Sequence, residues 1–158
     1  MSNYVFFYGG PFSQWARSPF KYEALKLTFN CAEQYMMYKK AILFKDYETA
    51  DAIMKATQPW EQKALGRQVK NFDDAEWMDF AVNIVYHGNF MKFTQNEDFK
   101  QALEATKGKL LVEASPTDTR WGIGMHEGQA GIEDPANWKG QNLLGKVLTD
   151  LRISIFGE

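Results

Sequence analysis

The spacing of apolar and polar residues predicts a chain built mainly from α-helices. Over several long segments, apolar side chains recur every three to four positions, which is the spacing of one helix face. Helices are predicted for 30–44, 46–57, 59–69, 73–93, 96–106 and 141–155. Two of the starts carry specific signals, because Asp73 is a good N-cap and Pro59 suits a first helical turn.

Short segments rich in aromatic and β-branched residues predict a few strands between these helices. Tyr4–Tyr8 forms one strand, Phe20–Glu23 and Leu25–Phe29 pair as a hairpin, and Leu110–Ala114 forms a further strand. The chain has 158 residues, the length of one domain with one core. The predicted fold class is therefore α+β, a single compact, helix-rich domain over residues 1–158 with a few short strands.

The helix predicted for 30–44 carries two charged residues on a largely apolar surface. Glu33 and Lys40 are two helical turns apart, so they lie on nearly the same face. A solvated, salt-bridged stripe explains most pairs of this kind. A capping box is a second structural alternative, with Asn30 as the N-cap and Glu33 at the third helical position. A catalytic acid beside a base is the functional alternative.

A second segment with candidate chemistry is 110–124, where a predicted strand runs into a polar loop. Asp118, Trp121 and Gly122 follow a turn at Ser115-Pro116. Loops at strand ends often carry functional residues, and glycine lets the backbone approach a ligand closely. Asp118 can equally be an ordinary turn residue. The long loop predicted for 125–139 is of a length that is usually functional or mobile.

Composition and charge exclude several classes of protein. The formal net charge is −2, so no overall basic field attracts nucleic acid, although a local basic groove stays open as an alternative. The single cysteine, Cys31, excludes an internal disulfide, is expected to be a small buried thiol, and fits a reducing compartment. The opening residues show neither a charged leader nor a long apolar run. We therefore expect a cytoplasmic protein without a membrane span.

Aromatic side chains and histidines add further candidates. Phe12 and Trp15 fall in a predicted loop, where we expect them to be exposed. His87 falls in a helix and is expected to be structural, whereas His126 falls in the long loop and is expected at the surface. Two distant histidines and one cysteine do not make a metal site, so neither a metal nor another cofactor is expected.

Five tracts of the sequence together resemble one known family. In chain order they are GGPFSQW, FNCAEQYMMYKKA, LGRQVKNF, LLVEASPTDTRWGIG and NWKGQNLLGKVLTDLR. Over residues 8–152 the chain is similar to the NADAR family, also called the YbiA-like family. The resemblance implies a helix-rich fold and an N-glycosidase activity without a metal. Two activities are associated with the family: hydrolysis of the ribosylaminopyrimidine phosphates of riboflavin biosynthesis, and removal of ADP-ribose from guanine bases in nucleic acids.

The resemblance also implies a set of site residues. The matching positions are Glu33, Lys40, Gly66-Arg67, Asp118, Trp121, Gly122, Gly140, Asn142 and Gly145. Cleavage of an N-glycosidic bond passes through a transition state that resembles an oxocarbenium ion, which a carboxylate can stabilise while it activates water. Glu33 and Asp118 are predicted to divide these tasks, as carboxylate pairs do in glycosidases. Lys40 is predicted to keep one carboxylate ionised or to hold a phosphate.

The remaining residues are predicted to bind the substrate. Arg67 suits a bidentate contact to phosphate, and Asn142 suits hydrogen bonds to ribose hydroxyls or base edges. Trp121 is predicted to stack on a heterocycle, with Trp15 and Phe12 as lesser candidates. Six of these residues are expected to line one concave pocket: Glu33, Lys40, Arg67, Asp118, Trp121 and Asn142.

The expected function is hydrolysis of a ribosyl compound, either a riboflavin intermediate or ADP-ribosylated guanine. The expected partner is a small ribosyl or ADP-ribosyl substrate, or an ADP-ribosylated nucleic acid, and the oligomeric state stays open. An alternative of another class is a non-catalytic module that binds ADP-ribose or a nucleotide through Arg67, Trp121 and Asn142. Such a module gains nothing from a carboxylate beside the ribose, which repels a phosphorylated ligand. A structural interaction protein is supported only by the aromatic surplus.

Overall fold

The structure, a computed structural model, describes residues 2–158 and is dominated by helices. The strands are β1 (Tyr4–Phe7), β2 (Phe20–Tyr22), β3 (Leu27–Phe29) and β4 (Leu110–Glu113). The helices are α1 (Ala32–Leu43), α2 (Tyr47–Lys55), α3 (Pro59–Gly66), α4 (Asp74–Gln95), α5 (Glu97–Glu104) and α6 (Leu143–Phe156). Short 3-10 turns cover Gly10–Phe12, Glu23–Leu25 and Pro135–Asn137. The prediction of a helix-rich α+β fold with a few short strands is confirmed.

Contacts between residues divide the chain into two compact units. The terminal unit contains the residues up to Ser13 together with Glu97–Glu158, and the central unit contains Gln14–Asn96. The organisation as a single domain stays a prediction.

In the central unit, α1 packs against α2, α3 and α4. Every residue from Ala32 to Met37 is buried, which is typical of a core helix rather than a surface helix. The hairpin is confirmed, since β2 and β3 pair antiparallel with Phe20 opposite Phe29. Lys26, in the turn between them, has a left-handed backbone with φ of 54°. The first turns of α1 therefore lie in the middle of the core of the central unit.

In the terminal unit, β1 and β4 pair in parallel, with Tyr4 opposite Leu110. Helix α6 packs against β4, whose Leu111 and Val112 are fully buried. Arg152 is 2% exposed and holds α6 in place. Its guanidinium donates to the carbonyl oxygens of Thr106 (2.8 Å) and Lys109 (2.6 Å) and to Glu158 Oε1 (2.7 Å). These acceptors stabilise a positive charge that burial would otherwise penalise.

Three expectations about local structure are wrong. Helix α1 begins at Ala32 with Cys31 as its N-cap, so Asn30 is not the N-cap. Helix α3 ends at Gly66, because its last turn closes through the Gln68 N–H and the Leu65 carbonyl, before the predicted end at residue 69. Phe12 is buried rather than exposed.

The reason for the burial of Phe12 is its contact with Phe7. The two ring centroids are 5.6 Å apart, in an edge-to-face arrangement.

Among residues 2–158, no helix is both long and apolar enough to cross a bilayer.

Candidate active site

Glu33 lies in the first turn of α1, and its side chain is only 7% exposed. Its backbone N–H donates to the carbonyl oxygen of Gln14 at 3.0 Å. The capping box that was one alternative for Glu33 does not form, because the helix begins one residue later than that role requires. Gln34 reaches back instead, and its Oε1 accepts from the Asn30 N–H at 2.8 Å. Capping therefore does not explain why a carboxylate is buried at residue 33.

The loop segment beside Glu33 is held by a pair of amide side chains. Asn89 of α4 donates through Nδ2 to Gln14 Oε1 and to the Val85 carbonyl, both at 2.8 Å. Gln14 donates in turn to Met36 Sδ at 3.8 Å. Asn89 is fully buried, and its Oδ1 has no hydrogen-bond partner among the described residues. This pair fastens Gln14, and with it the start of α1, to the middle of α4.

Lys40 lies two turns after Glu33 and is half-buried over aromatic rings. Its ammonium nitrogen is 4.4 Å from the ring centroid of Phe72 and 6.0 Å from that of Trp77. Such contacts are favourable to the cation. Phe72, after α3, and Trp77, in α4, therefore stabilise the positive charge of Lys40.

Lys40 is influenced by the charges of two other residues predicted for the site, Glu33 and Arg67. Burial lowers the pKa of Lys40, the negative charge of Glu33 raises it, the positive charge of Arg67 lowers it, and that of Asp74 raises it. The structure therefore brings Lys40 within range of the charges of both Glu33 and Arg67.

Arg67 follows the last residue of α3 and is exposed to solvent. The preceding residue, Gly66, packs directly on the Met37 side chain of α1, where a Cβ atom would collide with the sulfur. Glycine at this position therefore lets α3 approach α1 closely and fixes where Arg67 emerges. Trp15 is 43% exposed, and the ammonium of Lys63 lies 5.9 Å from its ring centroid.

Besides Arg152, sequence reasoning missed a second buried cation, Lys92 of α4. It is fully buried, with its ammonium nitrogen 4.9 Å from the ring centroid of Phe93. Burial lowers the pKa of Lys92 to about 7, and the neighbouring Cys31 acts in the opposite direction. An amine with such a pKa takes up and releases protons near neutral pH.

The signal for Lys92 was present in the helical spacing of α4. Its buried stripe includes Trp77, Ala81, Val85, Gly88 and Lys92, each three or four positions after the one before. A lysine on the apolar stripe of a helix marks a buried charge, which natural proteins rarely tolerate without a purpose.

Cys31 and His87, which were expected to be structural residues, both make hydrogen bonds within the fold. The Cys31 thiol donates to Gln62 Oε1 at 3.1 Å, and burial raises its pKa to about 11, so it is a poor nucleophile. His87 Nδ1 and the Tyr35 hydroxyl form a hydrogen bond of 2.8 Å, and burial lowers the pKa of His87. Within residues 2–158 no three His, Cys, Asp or Glu side chains are grouped to hold a metal ion.

In the terminal unit, Asp118 organises the loop after β4. Its Oδ1 accepts from the backbone N–H groups of Arg120 (2.9 Å) and Trp121 (2.8 Å). Its own N–H donates to Ser115 Oγ at 3.0 Å. A Cβ atom on Gly122 would come within 2.9 Å of the backbone oxygen of Glu113, at the end of β4, and within 3.0 Å of that of Asp118, so only glycine fits there. Asp118 is therefore a turn residue, one of the two alternatives that the sequence left open. Its hydrogen bonds to the turn backbone use Oδ1.

The same loop caps the start of α6. The N–H of Leu143 donates to the Arg120 carbonyl (3.2 Å), and that of Leu144 donates to the Trp121 carbonyl (3.1 Å). These donors belong to the first turn of a helix, where no partner within the helix exists. Pairing them therefore joins the loop and the helix into one rigid element.

Asn142, predicted to bind ligand, has its side-chain amide engaged in the fold. It is 1% exposed, its Oδ1 accepts from the Glu113 N–H (2.9 Å), and its Nδ2 donates to the Leu111 carbonyl (3.0 Å). The amide thus supplies β4 with the hydrogen bonds that a neighbouring strand would make. Its backbone is left-handed, with φ of 54°.

The predicted site residues fall into two groups, each within one unit. The central unit contains Glu33, Lys40, Arg67 and Trp15, and the terminal unit contains Phe12, Asp118, Trp121, Gly122 and Asn142. The first three residues are linked by charge, and Asp118, Trp121, Gly122 and Asn142 are linked through the backbone of one loop. The expectation that six of the residues line one pocket stays a prediction.

Comparison with known proteins gives consistent matches. Residues 6–156 match the model of the NADAR domain family. The chain is 43% identical over 128 residues to Protein irg-1 of Caenorhabditis elegans, covering 80% of this chain and 60% of that protein. It is also 43% identical, over 162 residues, to N-glycosidase R617 of Acanthamoeba polyphaga mimivirus, covering 94% of both. The chain therefore spans less than two thirds of irg-1 but almost all of R617.

A solved structure has the same fold. The NMR structure of the E. coli protein YbiA superposes with a TM-score of 0.79 at 25% sequence identity. The match covers 98% of this chain and 86% of YbiA.

Proposed function

The chain belongs to the NADAR domain family, and from that membership we propose that it is an N-glycosidase, a hydrolase that cleaves a bond between ribose and nitrogen. The mimiviral relative, which it matches over nearly its whole length, is named an N-glycosidase. The observation that carries the proposal is the buried carboxylate of Glu33, which does not serve as a helix cap. Carboxylates are rarely buried this deeply, and buried ionisable groups are concentrated at functional sites.

Glu33 is assigned the central role in the reaction. As positive charge develops on the ribose, the Glu33 carboxylate stabilises it and takes a proton from the attacking water. Its burial strengthens this effect, because water screens charges less in a low-dielectric site. Lys40 lies on the same face of α1, and the negative charge of Glu33 raises the pKa of Lys40, so the two groups interact as an acid and a base.

Arg67 and Trp15 are assigned to substrate binding. Arg67 is exposed at the end of α3, and its charge is close enough to act on Lys40. A guanidinium there suits a phosphate group, and the half-exposed indole of Trp15 suits a heterocycle. Ribosylaminopyrimidine phosphates and ADP-ribosylated guanine both combine a ribose, a phosphate and a ring, so the proposed substrate is one of these two.

Residues of the terminal unit keep the roles implied by the family resemblance as proposals. Asp118 is proposed as the second carboxylate, acting through Oδ2 because Oδ1 accepts two backbone hydrogen bonds. Trp121 is proposed to stack on the base, and Gly122 to allow close approach. Asn142 is given no ligand role here, because both atoms of its amide bond to β4.

The test is to incubate the pure protein separately with a ribosylaminopyrimidine phosphate and with ADP-ribosylated guanosine, and to measure released ribose phosphate or ADP-ribose. Glu33→Gln keeps the shape of the side chain and removes its charge. We expect turnover to fall by about two to four orders of magnitude while substrate still binds. Glu48→Gln, a change at an exposed glutamate of α2, is the matched control and should leave turnover unchanged.

Two outcomes would contradict the proposal. Calorimetric binding of both compounds with no release over hours would favour the non-catalytic binding module. A Glu33→Gln protein with normal turnover would remove Glu33 from the mechanism and leave Asp118, tested by Asp118→Asn, as the candidate carboxylate.

We also propose a cytoplasmic location, which the reduced, buried thiol of Cys31 supports.

A further inference from the structure

A buried asparagine on α4 has an oxygen atom without a hydrogen-bond partner. Asn89 is fully buried, and its Oδ1 has no partner among residues 2–158. Its Nδ2 donates to the Val85 carbonyl and to Gln14 Oε1, both at 2.8 Å. The Val85 carbonyl only accepts hydrogen bonds, so the nitrogen of the amide must face it and the oxygen must point elsewhere.

This arrangement is a poor way to stabilise the fold. An unpartnered buried acceptor costs more free energy than a typical hydrogen bond returns. The Val85 carbonyl already accepts from the backbone N–H of Asn89, four positions later in the same α-helix, so it does not need the side chain. A leucine has the same branched shape without polar atoms and would fill this place in the core at lower cost. Fold stability therefore does not explain an asparagine at position 89.

The other hydrogen bond of the Asn89 side chain reaches a loop residue that holds the start of α1. Gln14 lies in a turn between β1 and β2, 75 positions before Asn89. Its backbone carbonyl accepts from the N–H of Glu33 at 3.0 Å. That N–H belongs to the first turn of α1, where a donor has no partner within the helix. Gln14 thus fixes the backbone from which the Glu33 carboxylate projects.

A second contact ties Gln14 to the same face of α1. Its Nε2 lies 3.8 Å from Met36 Sδ, to which it donates a weak hydrogen bond. Met36 follows Glu33 by three positions, so the two side chains are neighbours on the helix surface. The amide of Gln14 therefore bridges α4 and α1, since Oε1 accepts from Asn89 and Nε2 donates to Met36. All four residues lie in the central unit.

We propose that Asn89 is a positioning residue for Glu33 and acts through Gln14. The inference rests on the N-glycosidase function and adds to it a buried residue that does not touch the substrate. Loop residues are more mobile than helices, so Gln14 needs a rigid partner, and the 22-residue helix α4 supplies one through Asn89. A carboxylate that acts on a developing charge has to stay in place, because a displacement of about 1 Å can lower the rate about 100-fold.

The first experiment compares Asn89→Leu with the unaltered protein in the assay for released ribose phosphate or ADP-ribose. We expect kcat to fall by about 10- to 100-fold with KM unchanged, because the substrate still binds and only the position of Glu33 is lost. The midpoint of urea unfolding should stay the same or rise, because the unpartnered oxygen is removed. A lower midpoint with normal kcat would assign Asn89 to the fold alone and overturn the inference. Asn83→Leu, at an exposed asparagine of α4, is the matched control and should change neither quantity.

The second experiment tests the route through Gln14. Gln14→Met keeps the length of the side chain and its backbone carbonyl but removes the acceptor of the Asn89 hydrogen bond. It should lower kcat by a similar factor, and the double variant with Asn89→Leu should lose no more than either single variant, because the two residues act as one unit. Losses that multiply in the double variant would overturn the inference. If Asn89→Leu does not fold, Gln14→Met decides alone, and a normal kcat in that variant overturns the inference.

The Glu33→Gln variant separates this inference from the proposed function. Without the carboxylate there is nothing to position, so adding Asn89→Leu to Glu33→Gln should lower the residual kcat no further. A further fall would overturn the inference, because Asn89 would then act without Glu33. A protein whose turnover depends on Glu33 but not on Asn89 loses only the positioning role. An unaltered protein that cleaves neither ribosyl compound removes the N-glycosidase function, and the positioning role with it.

Discussion

Replacing Lys92 by methionine should change how the stability of the protein depends on pH. Lys92 is fully buried, and burial lowers its pKa to about 7 from the ordinary value of 10.5. Methionine has a similar length and flexibility but carries no charge. The substitution therefore removes the titration without a large change in volume.

The direction and size of the effect follow from linkage. Between pH 7 and 10.5 the unfolded chain holds the Lys92 proton and the folded chain does not, so the free energy of unfolding rises with pH. The stability that Lys92 contributes is fully present above pH 10.5 and is lost as the pH falls to 7. Across the whole window this amounts to about 5 kcal/mol, and between pH 7 and 9 to about 2 kcal/mol.

The assay is urea unfolding at pH 7, 8 and 9 for the unaltered protein and Lys92→Met. Cys31, whose pKa burial raises to about 11 from 9.0, begins to lower stability only near the upper end of this range, and it does so in both proteins. The difference in the free energy of unfolding between the two proteins should change by about 2 kcal/mol over the range. As the pH rises, the unaltered protein should become more stable relative to the variant. Lys55→Met, at an exposed lysine, controls for the loss of one positive charge. Parallel curves for the unaltered protein and Lys92→Met would refute a buried lysine with a lowered pKa.

Two further predictions concern the fold around the candidate site. Asn142→Ala deprives the Leu111 carbonyl and the Glu113 N–H of their partner, so urea unfolding should show a loss of about 2 to 4 kcal/mol; a loss below about 0.5 kcal/mol would contradict the bridging role. Cys31 should react with an aromatic disulfide reagent at pH 8 at least about 100-fold more slowly in the folded protein than in urea, because burial raises its pKa to about 11 from 9.0 and so reduces the thiolate. Rapid reaction of the folded protein would show that the thiol is accessible.

The elements that sequence analysis predicted well are those whose signals are local. The periodic apolar positions of 73–93 and the Asp73 cap correspond to α4, and Phe20 and Phe29 end a hairpin as expected. The spacing of Glu33 and Lys40 places both on one helix, with charges that act on each other. Each of these inferences needs only a few neighbouring residues, since helical and strand periods repeat over short distances.

The site was harder to predict because its residues depend on distant partners. Whether Phe12 is exposed depends on Phe7, and whether Asn142 is available to a ligand depends on β4, 31 positions earlier. The capping alternative for Glu33 failed because α1 begins at Ala32, and because Gln34 accepts the hydrogen bond from the Asn30 N–H that Glu33 would have accepted. Sequence patterns do not tell which of several side chains makes a given hydrogen bond or contact, since that depends on the packing of the whole unit.

The sequence by itself determined the helix-rich class, the hairpin, the family and the presence of a carboxylate and a lysine on one face of α1. Only the tertiary structure decided that Glu33 is buried and Arg67 exposed, and that Lys92 loses its contact with water. Burial and the direction of a pKa shift are properties of all the atoms around a side chain, and α1 obtains those atoms from α2, α3 and α4. Periodicity tells which face of a helix turns inward, but the dielectric and the charges that this face meets come from the helices packed against it.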